Sequence, residues 1–191
     1  MEGCGSVRLC VVSDTHRHRH ELLTAVKSLQ PLDAILHAGD ETSDAEWLAA
    51  RVDWPIYSVA GNWDMVTEKY PLERVFNSGP RIFLTHGHML KVKEGLELLR
   101  QRAQEWDAQI TVYGHTHQAI SIWNGGMLFI NPGSLSEPRG RRERTCALLE
   151  IFDNSKTISW DVSVSHVTIH GHIAGSVLKV ALPQHATGSR S

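Results

Sequence analysis

Val7-Arg8-Leu9-Cys10-Val11-Val12-Ser13-Asp14-Thr15-His16 runs from an apolar stretch, broken only at Arg8, straight into a carboxylate and an imidazole. An apolar run of this length is the pattern of a strand buried on both faces. The same grammar repeats outward. Leu22, Leu23, Val26 and Leu29 recur at helical spacing, and Pro31 follows as a stop. Residues 34–37 form a second short buried strand that ends at Gly39-Asp40. Residues 44–52 read as a helix with Ser43 as its N-cap. Residues 55–60 form a third strand ending at Gly61-Asn62. Strand, helix, strand, helix, strand implies a parallel sheet with right-handed crossovers.

The second half reads as richer in strands. Residues 81–85 lead into His86, and 93–106 form a helix with Leu96, Leu99 and Ala103 on one face. Residues 110–113 lead into Gly114-His115. Residues 119–123 and 127–130 flank Asn124-Gly125-Gly126, a hairpin signal, and 145–152 and 157–164 flank a second turn. The expectation is one domain over residues 1–182, with a polar, disordered tail at 183–191. The apolar stretch 173–182 could pair or dock with another subunit.

Seven residues close these segments in short blocks: Asp14, His16, Asp40, Asn62, His86, His115 and His117. Ligands in open α/β sheets gather at the carboxyl ends of parallel strands, so the fold itself would bring the blocks together. Gly39, Gly61, Gly87 and Gly114 beside them permit tight turns and close backbone approach. Carboxylate, imidazole and amide oxygen make a set suited to Mn(II), Fe(II), Ni(II), Co(II) or Zn(II), and seven donors exceed one tetrahedral ion. His115 and His117, at i and i+2 on an extended segment, would point the same way. Each block alone is weak evidence, since Gly-Asn-x-Asp is most often a turn. All five in this order form a far more specific signal.

The remaining composition narrows the classes. The chain has 191 residues and a net charge of −2, so no broad basic surface for long nucleic acid is implied. The one basic cluster, Arg139, Arg141, Arg142 and Arg144, is interrupted; Arg139 is its candidate for phosphate contact. Cys4, Cys10 and Cys146 are an odd set without CxxC spacing, which fits a reducing, cytoplasmic setting with no disulfide framework. Nothing resembles a signal peptide or a membrane span. Of the twelve histidines, His170 and His172 copy the spacing of His86 and His88 but have no acidic neighbour.

The order Asp-x-His, Gly-Asp, Gly-Asn-x-Asp, His-Gly-His and Gly-His-x-His resembles the calcineurin-like metallophosphoesterases. Asn131-Pro132-Gly133-Ser134 after the last block narrows the resemblance to the small prokaryotic phosphodiesterase group related to the retromer scaffold subunit. It covers about residues 7–165. It implies an α/β fold, a four-layer αββα sandwich of two mixed sheets flanked by helices. It also implies a ligand set: Asp14, His16 and His117 for one divalent metal, Asn62, His86 and His115 for a second, and Asp40 bridging both. Such a pair, Mn(II) first among the candidates, would act through a bridging hydroxide on a phosphodiester or an activated phosphomonoester. The alternative is a non-catalytic, protein-binding scaffold, which need not keep His16.

Six further positions qualify the resemblance. Many relatives carry histidine where this chain has Trp63, and an indole N–H cannot serve as a general acid. Trp63 would therefore favour diesters or aryl esters, and it would either stack on a ring or pack at the cleft rim. Asp64 is expected to orient His115 or His117, or else to cap the next turn. His88 is a candidate for substrate contact. Arg17 would narrow the cleft entrance, and Asn131 and Ser134 would shape the loop beneath.

Overall fold

The computed structural model describes residues 5–184; Cys4, His185 and most of the expected tail lie outside them. Strand β1 (Ser6–Val12) sits inside a six-stranded sheet. Its neighbours are β2 (Ala34–His37) on one side and β9 (Thr145–Asn154) on the other. The order continues outward to β3 (Ile56–Ser58) at one edge, and through β10 (Ser159–Thr168) to β11 (Leu178–Pro183) at the other. The β1, β2 and β3 pairings are parallel, and those of β9, β10 and β11 are antiparallel. The second sheet has five strands: β4 (Glu73–Asn77), β5 (Arg81–Thr85), β6 (Ile110–Val112), β8 (Met127–Pro132) and β7 (Ala119–Asn124), in that spatial order. Its three central strands are parallel and its two edges antiparallel.

Alternation along each strand builds four layers, because successive side chains leave opposite faces. Leu9 and Val11 face the second sheet and join Leu36, Leu84, Val112 and Ile130 in the central core. Cys10 and Val12 face the other way. They pack with Leu22, Ala25 and Val26 of α1 (Arg19–Ser28) and Leu48 of α2 (Thr42–Ala49). Phe83 and Phe129 leave the second sheet's outer face and meet Leu99 and Ala103 of α3 (Glu97–Glu105). Both strand faces are buried, which is why these segments read as continuous apolar runs. The expected αββα sandwich of two mixed sheets is what the chain adopts.

Several boundaries differ from the sequence reading. Helix α2 begins at Thr42, not at Asp44, and Ser43 is not its cap. Glu41 takes that place with left-handed backbone at φ 85°, and the Ser43 hydroxyl donates to the Glu41 carboxylate instead. Helix α3 starts at Glu97 rather than residue 93, because residues 91–95 coil through turns that end at Gly95, φ 151°. Strand β4 was not anticipated. The stretch considered for pairing with another subunit supplies β11, whose partner is β10 of this chain.

Candidate metal centre

Five loops meet at one end of the sandwich because the parallel strands all finish there. Asp14 follows β1, Asp40 follows β2, Asn62 follows β3, His86 follows β5 and His115 follows β6. Backbone hydrogen bonds continue the ladders past the strand ends: Asp14 N–H to Gly39 O (3.0 Å), Thr15 N–H to Asp40 O (3.2 Å) and Gly114 N–H to His86 O (3.2 Å). The last of these ties loops of the second sheet together, while the Asp14 carboxylate links the two sheets by accepting His115 N–H (3.0 Å). Two glycines make the approach possible. A Cβ on Gly61 would fall 2.0 Å from Asp40 Oδ1, and one on Gly114 would fall 1.9 Å from Ser13 Oγ. The ligand loops also carry unusual backbone: Asp14, His16, Arg17, Asp40, His115 and His117 all have positive φ. Strain of this kind persists where surrounding contacts over-determine the loop, and it concentrates at functional sites.

The side chains converge into two groups. Asp14, His16 and His117 present donor atoms within 4.8 Å of one another, and so do Asp40, His86 and His115. Asn62 joins the second group, its Oδ1 lying 3.1 Å from His86 Nε2. Asp40 faces both: its Oδ2 is 3.3 Å from His86 Nε2 and 3.9 Å from His16 Nε2. All seven residues picked from the sequence are therefore brought together. His115 and His117, however, do not act side by side. Their left-handed backbone turns one ring toward each group, with the His117 ring 5.4 Å from His16 and the His115 ring 5.1 Å from His86.

Hydrogen bonding leaves these donors facing inward. The His86 Nδ1–H donates to Ala38 O at 2.7 Å, and the His117 Nδ1–H donates to Glu137 O at 2.8 Å. Each bond fixes the tautomer that keeps a lone pair on Nε2, the usual outer partner of a metal-bound imidazole. Asp14 Oδ1 is buried with no hydrogen-bond donor among the described residues, although His117 Nε2 lies 3.1 Å away. The His86 Nε2 lone pair likewise faces the Asn62 and Asp40 oxygens. Acceptors crowded against acceptors in a buried site fit a cation between them, so this donor set suits divalent metal.

Charge points the same way. Burial pushes the Asp14 and Asp40 carboxyls up, but the neighbouring imidazoles outweigh it and both sit below the usual carboxylate range. Burial disfavours charged His86 and His117, yet the facing carboxylates raise both. Burial, then His86 and Lys93, bring His115 down to about 4, which keeps its ring neutral.

The residues around the groups sort differently from expectation. Asp64 does not reach His115 or His117. Its oxygens accept from Thr42 N–H (2.7 Å), Thr42 Oγ1–H (3.0 Å) and Gly61 N–H (2.9 Å), so it caps α2 and closes its own turn. Trp63 does not pack at the rim, its side chain being 73% exposed; its backbone N–H donates to Asp40 Oδ1 (3.1 Å). His88 stands 5.3 Å from the His86 ring, with Nδ1 buried and unpartnered among the described residues. Asn131 and Ser134 brace the loops from below, Asn131 through Gly114 O and Ser134 through Asp14 O. Ser13 donates to Ala38 O and is fully buried. Arg17 and Arg139 do line the cleft, whose volume is about 460 Å³. His170 and His172 belong to neither group.

Three residues escaped the sequence reading. Lys93 lines the cleft. Asp44, fully buried, accepts from Thr15 Oγ1–H (2.7 Å), Arg17 N–H (2.8 Å) and Arg19 Nε–H (2.7 Å), and so holds the Asp14–His16 loop. His37 packs behind the same loop, in contact with Thr15 Oγ1 (3.3 Å) and Ser58 Oγ (3.1 Å). The only signal for Asp44 was a carboxylate near the start of a helix, which ordinarily reads as a dipole partner.

An αββα sandwich whose strand ends gather two such groups fits the phosphoesterase class, and residues 7–154 match the calcineurin-like phosphoesterase superfamily domain. The chain belongs to that superfamily. Among its relatives is the Bacillus subtilis protein named "Probable metallophosphoesterase YsnB", 32% identical over 154 residues, spanning 80% of this chain and 89% of that one. Phosphodiesterase YfcE of Escherichia coli is 31% identical over 103 residues, about half of each chain (50% and 52%). A predicted phosphoesterase from Streptococcus pneumoniae has a solved structure with TM-score 0.73, 28% identity and coverage of 94% and 99% of the two chains. A Vps29 double mutant from Entamoeba histolytica shares the fold at TM-score 0.66 and 18% identity, covering 92% and 99%.

Proposed function

We propose that this protein is a binuclear metal-dependent phosphodiesterase, active also on activated phosphomonoesters. The observation that carries the reading is the pair of inward-facing groups sharing Asp40. Asp14, His16 and His117 would hold one divalent ion, Asn62, His86 and His115 the other, and Asp40 both. When bound, two such ions lower the pKa of water and neutralise phosphoryl oxygens. Mn(II) is the proposed native metal, with Ni(II), Fe(II), Co(II) or Zn(II) as substitutes.

The chain's own residues do the positioning. Ala38 O and Glu137 O hold the His86 and His117 rings in the productive tautomer. Asn62 and Asp40 set the oxygen face opposite His86, and Asp14 sets the one opposite His117. His88 is proposed to contact the substrate from the His115 side, its ring lying 6.1 Å from that of His115. Trp63 offers the leaving group no proton, so esters whose leaving group needs none are favoured. The name of the relative YfcE supports a diester substrate.

The rival reading, a protein-binding scaffold, draws on the fold shared with Vps29. A scaffold does not require all seven donors, and here all seven are present and oriented. The test is turnover of a bis-aryl phosphate and of an alkyl phosphomonoester by Mn(II)-loaded protein. Faster cleavage of the diester is expected; the reverse ranking removes the diester preference. Asp40→Asn should lower turnover more than about a hundredfold, beyond the usual loss for an outer partner, with circular dichroism unchanged. Absence of any turnover, with every metal and in the wild type, favours the scaffold.

A further inference from the structure

The two walls of the cleft differ in chemistry. One wall carries Arg17, Glu41 and Trp63, from loops of the first sheet; the other carries Lys93, Glu137 and Arg139, from loops of the second. The Trp63 ring meets the His16 ring edge-on, at 5.6 Å and 76°, and most of it lies open to solvent. Leaving a large apolar side chain in water forgoes the gain of burying it, so a bare indole beside the two groups is poised for a ligand's ring. Arg17 on the same wall faces Glu41 at 3.7 Å, which partly neutralises it. Opposite, the Lys93 and Arg139 side chains make no ion pair and no hydrogen bond among the described residues.

Two divalent ions, once held by the two groups, would answer the charge of one phosphoryl group. Two further unpaired cations on the far wall call for a second anionic group on the same ligand. A simple aryl diester, with one negative charge, would leave them idle. The cations occupy one wall of a small cleft and form no track, which suits a small molecule rather than a long polyanion.

We propose that the cleft takes a nucleoside di- or polyphosphate derivative. Its aromatic base stacks on Trp63, the phosphoryl group to be cleaved lies over the two metal groups, and the next phosphate lies against Lys93 and Arg139. This rests on the phosphoesterase reading above and names its substrate class. In the reaction the oxygen of water bonds to one phosphorus. The bridging P–O bond breaks with its electron pair passing to the departing phosphate, and a proton of the water is released.

Titration calorimetry of the full, Mn(II)-loaded chain tests it with three probes. These are the methylene-bridged analogue of ADP, whose P–C–P bridge resists hydrolysis, methylenebisphosphonate, which lacks the base, and AMP, which lacks the second phosphate. The ADP analogue is expected to bind about tenfold tighter than methylenebisphosphonate, the size of one base–aromatic stack. Trp63→Ala should abolish that gain and leave methylenebisphosphonate unchanged, while Trp63→Phe retains part of it. The double variant Lys93→Ala, Arg139→Ala should abolish the preference for the ADP analogue over AMP. Both walls are exposed, and circular dichroism verifies that the variants fold. No gain from the base, an effect of Trp63→Ala within twofold, or an unchanged preference over AMP in the double variant overturns the proposal. Wild-type turnover of bis-aryl phosphate is measured alongside: if it persists, only the substrate class has failed, and if it is absent, the phosphoesterase reading has failed first.

Discussion

Asp44 sits fully buried behind the cleft, where one carboxylate meets a hydroxyl, a backbone N–H and a guanidinium. Its partners Thr15 and Arg17 flank His16, and His16 and Arg17 both have positive φ. Left-handed backbone costs a non-glycine residue about 1–2 kcal/mol, so this loop needs an external clamp. Asp44→Asn keeps the volume but replaces one acceptor oxygen with a donor amide. It should weaken metal binding in the Asp14, His16, His117 group by about ten- to a hundredfold, the usual cost of losing an outer partner. Elemental analysis should then show the retained metal falling toward one equivalent per chain; two equivalents held with wild-type affinity would remove Asp44 from this role. The candidate ligands themselves were legible because their chemistry is local to each block. Asp44, His37 and Lys93 were not, because nothing in their own neighbourhood marks them and their partners or their cleft are supplied by distant segments.

Elements with both faces buried were the ones the sequence revealed. Strands β1, β2, β5 and β6 read as apolar runs because helices cover one side and the opposite sheet the other. Of the edge strands, β3 and β7 were still read from the turn residues that follow them, whereas β4 and β11 were not read as strands. Strand β4, Glu73-Arg74-Val75-Phe76-Asn77, is half-buried and mixes charge with apolar side chains. Strand β11 alternates exposed Lys179 and Ala181 with half-buried Leu178 and Val180, and only Leu182 is fully covered. Because Leu182 belongs to the central core, β11 is part of the fold and not an optional edge. Leu182→Ala should cost about 2–5 kcal/mol, the range for a buried leucine, as read by urea denaturation with an unchanged slope. A cost below about 0.5 kcal/mol would mean that β11 is not packed there in solution.

At the scale of the molecule, two sheets packed face to face place every parallel strand end at one pole, so a single rigid frame positions both groups. Metal should then stabilise the folded state by mass action, about 2.7 kcal/mol at a hundredfold excess over the dissociation constant. For a chain of this size that is a rise in thermal midpoint of roughly 5–10 °C, reversed by a chelator. A midpoint unmoved by Mn(II), Zn(II) and Ni(II) would count against a metal centre at this pole. The sequence by itself determined the family, through the order of its motif blocks, and with it the expected layers and the seven candidate donors, because ligand chemistry is written in contiguous residues. The family resemblance already implied how those donors divide; the tertiary structure supplied the means, since His115 and His117, two residues apart, part to separate groups through left-handed backbone rather than along an extended segment, and Asp40 comes to face both. Only the tertiary structure decided that Asp64 caps a helix, that Trp63 stands bare, and that Asp44 clamps a loop. Each depends on which distant segment lies opposite, and that is fixed by the packing of the two sheets rather than by any local pattern.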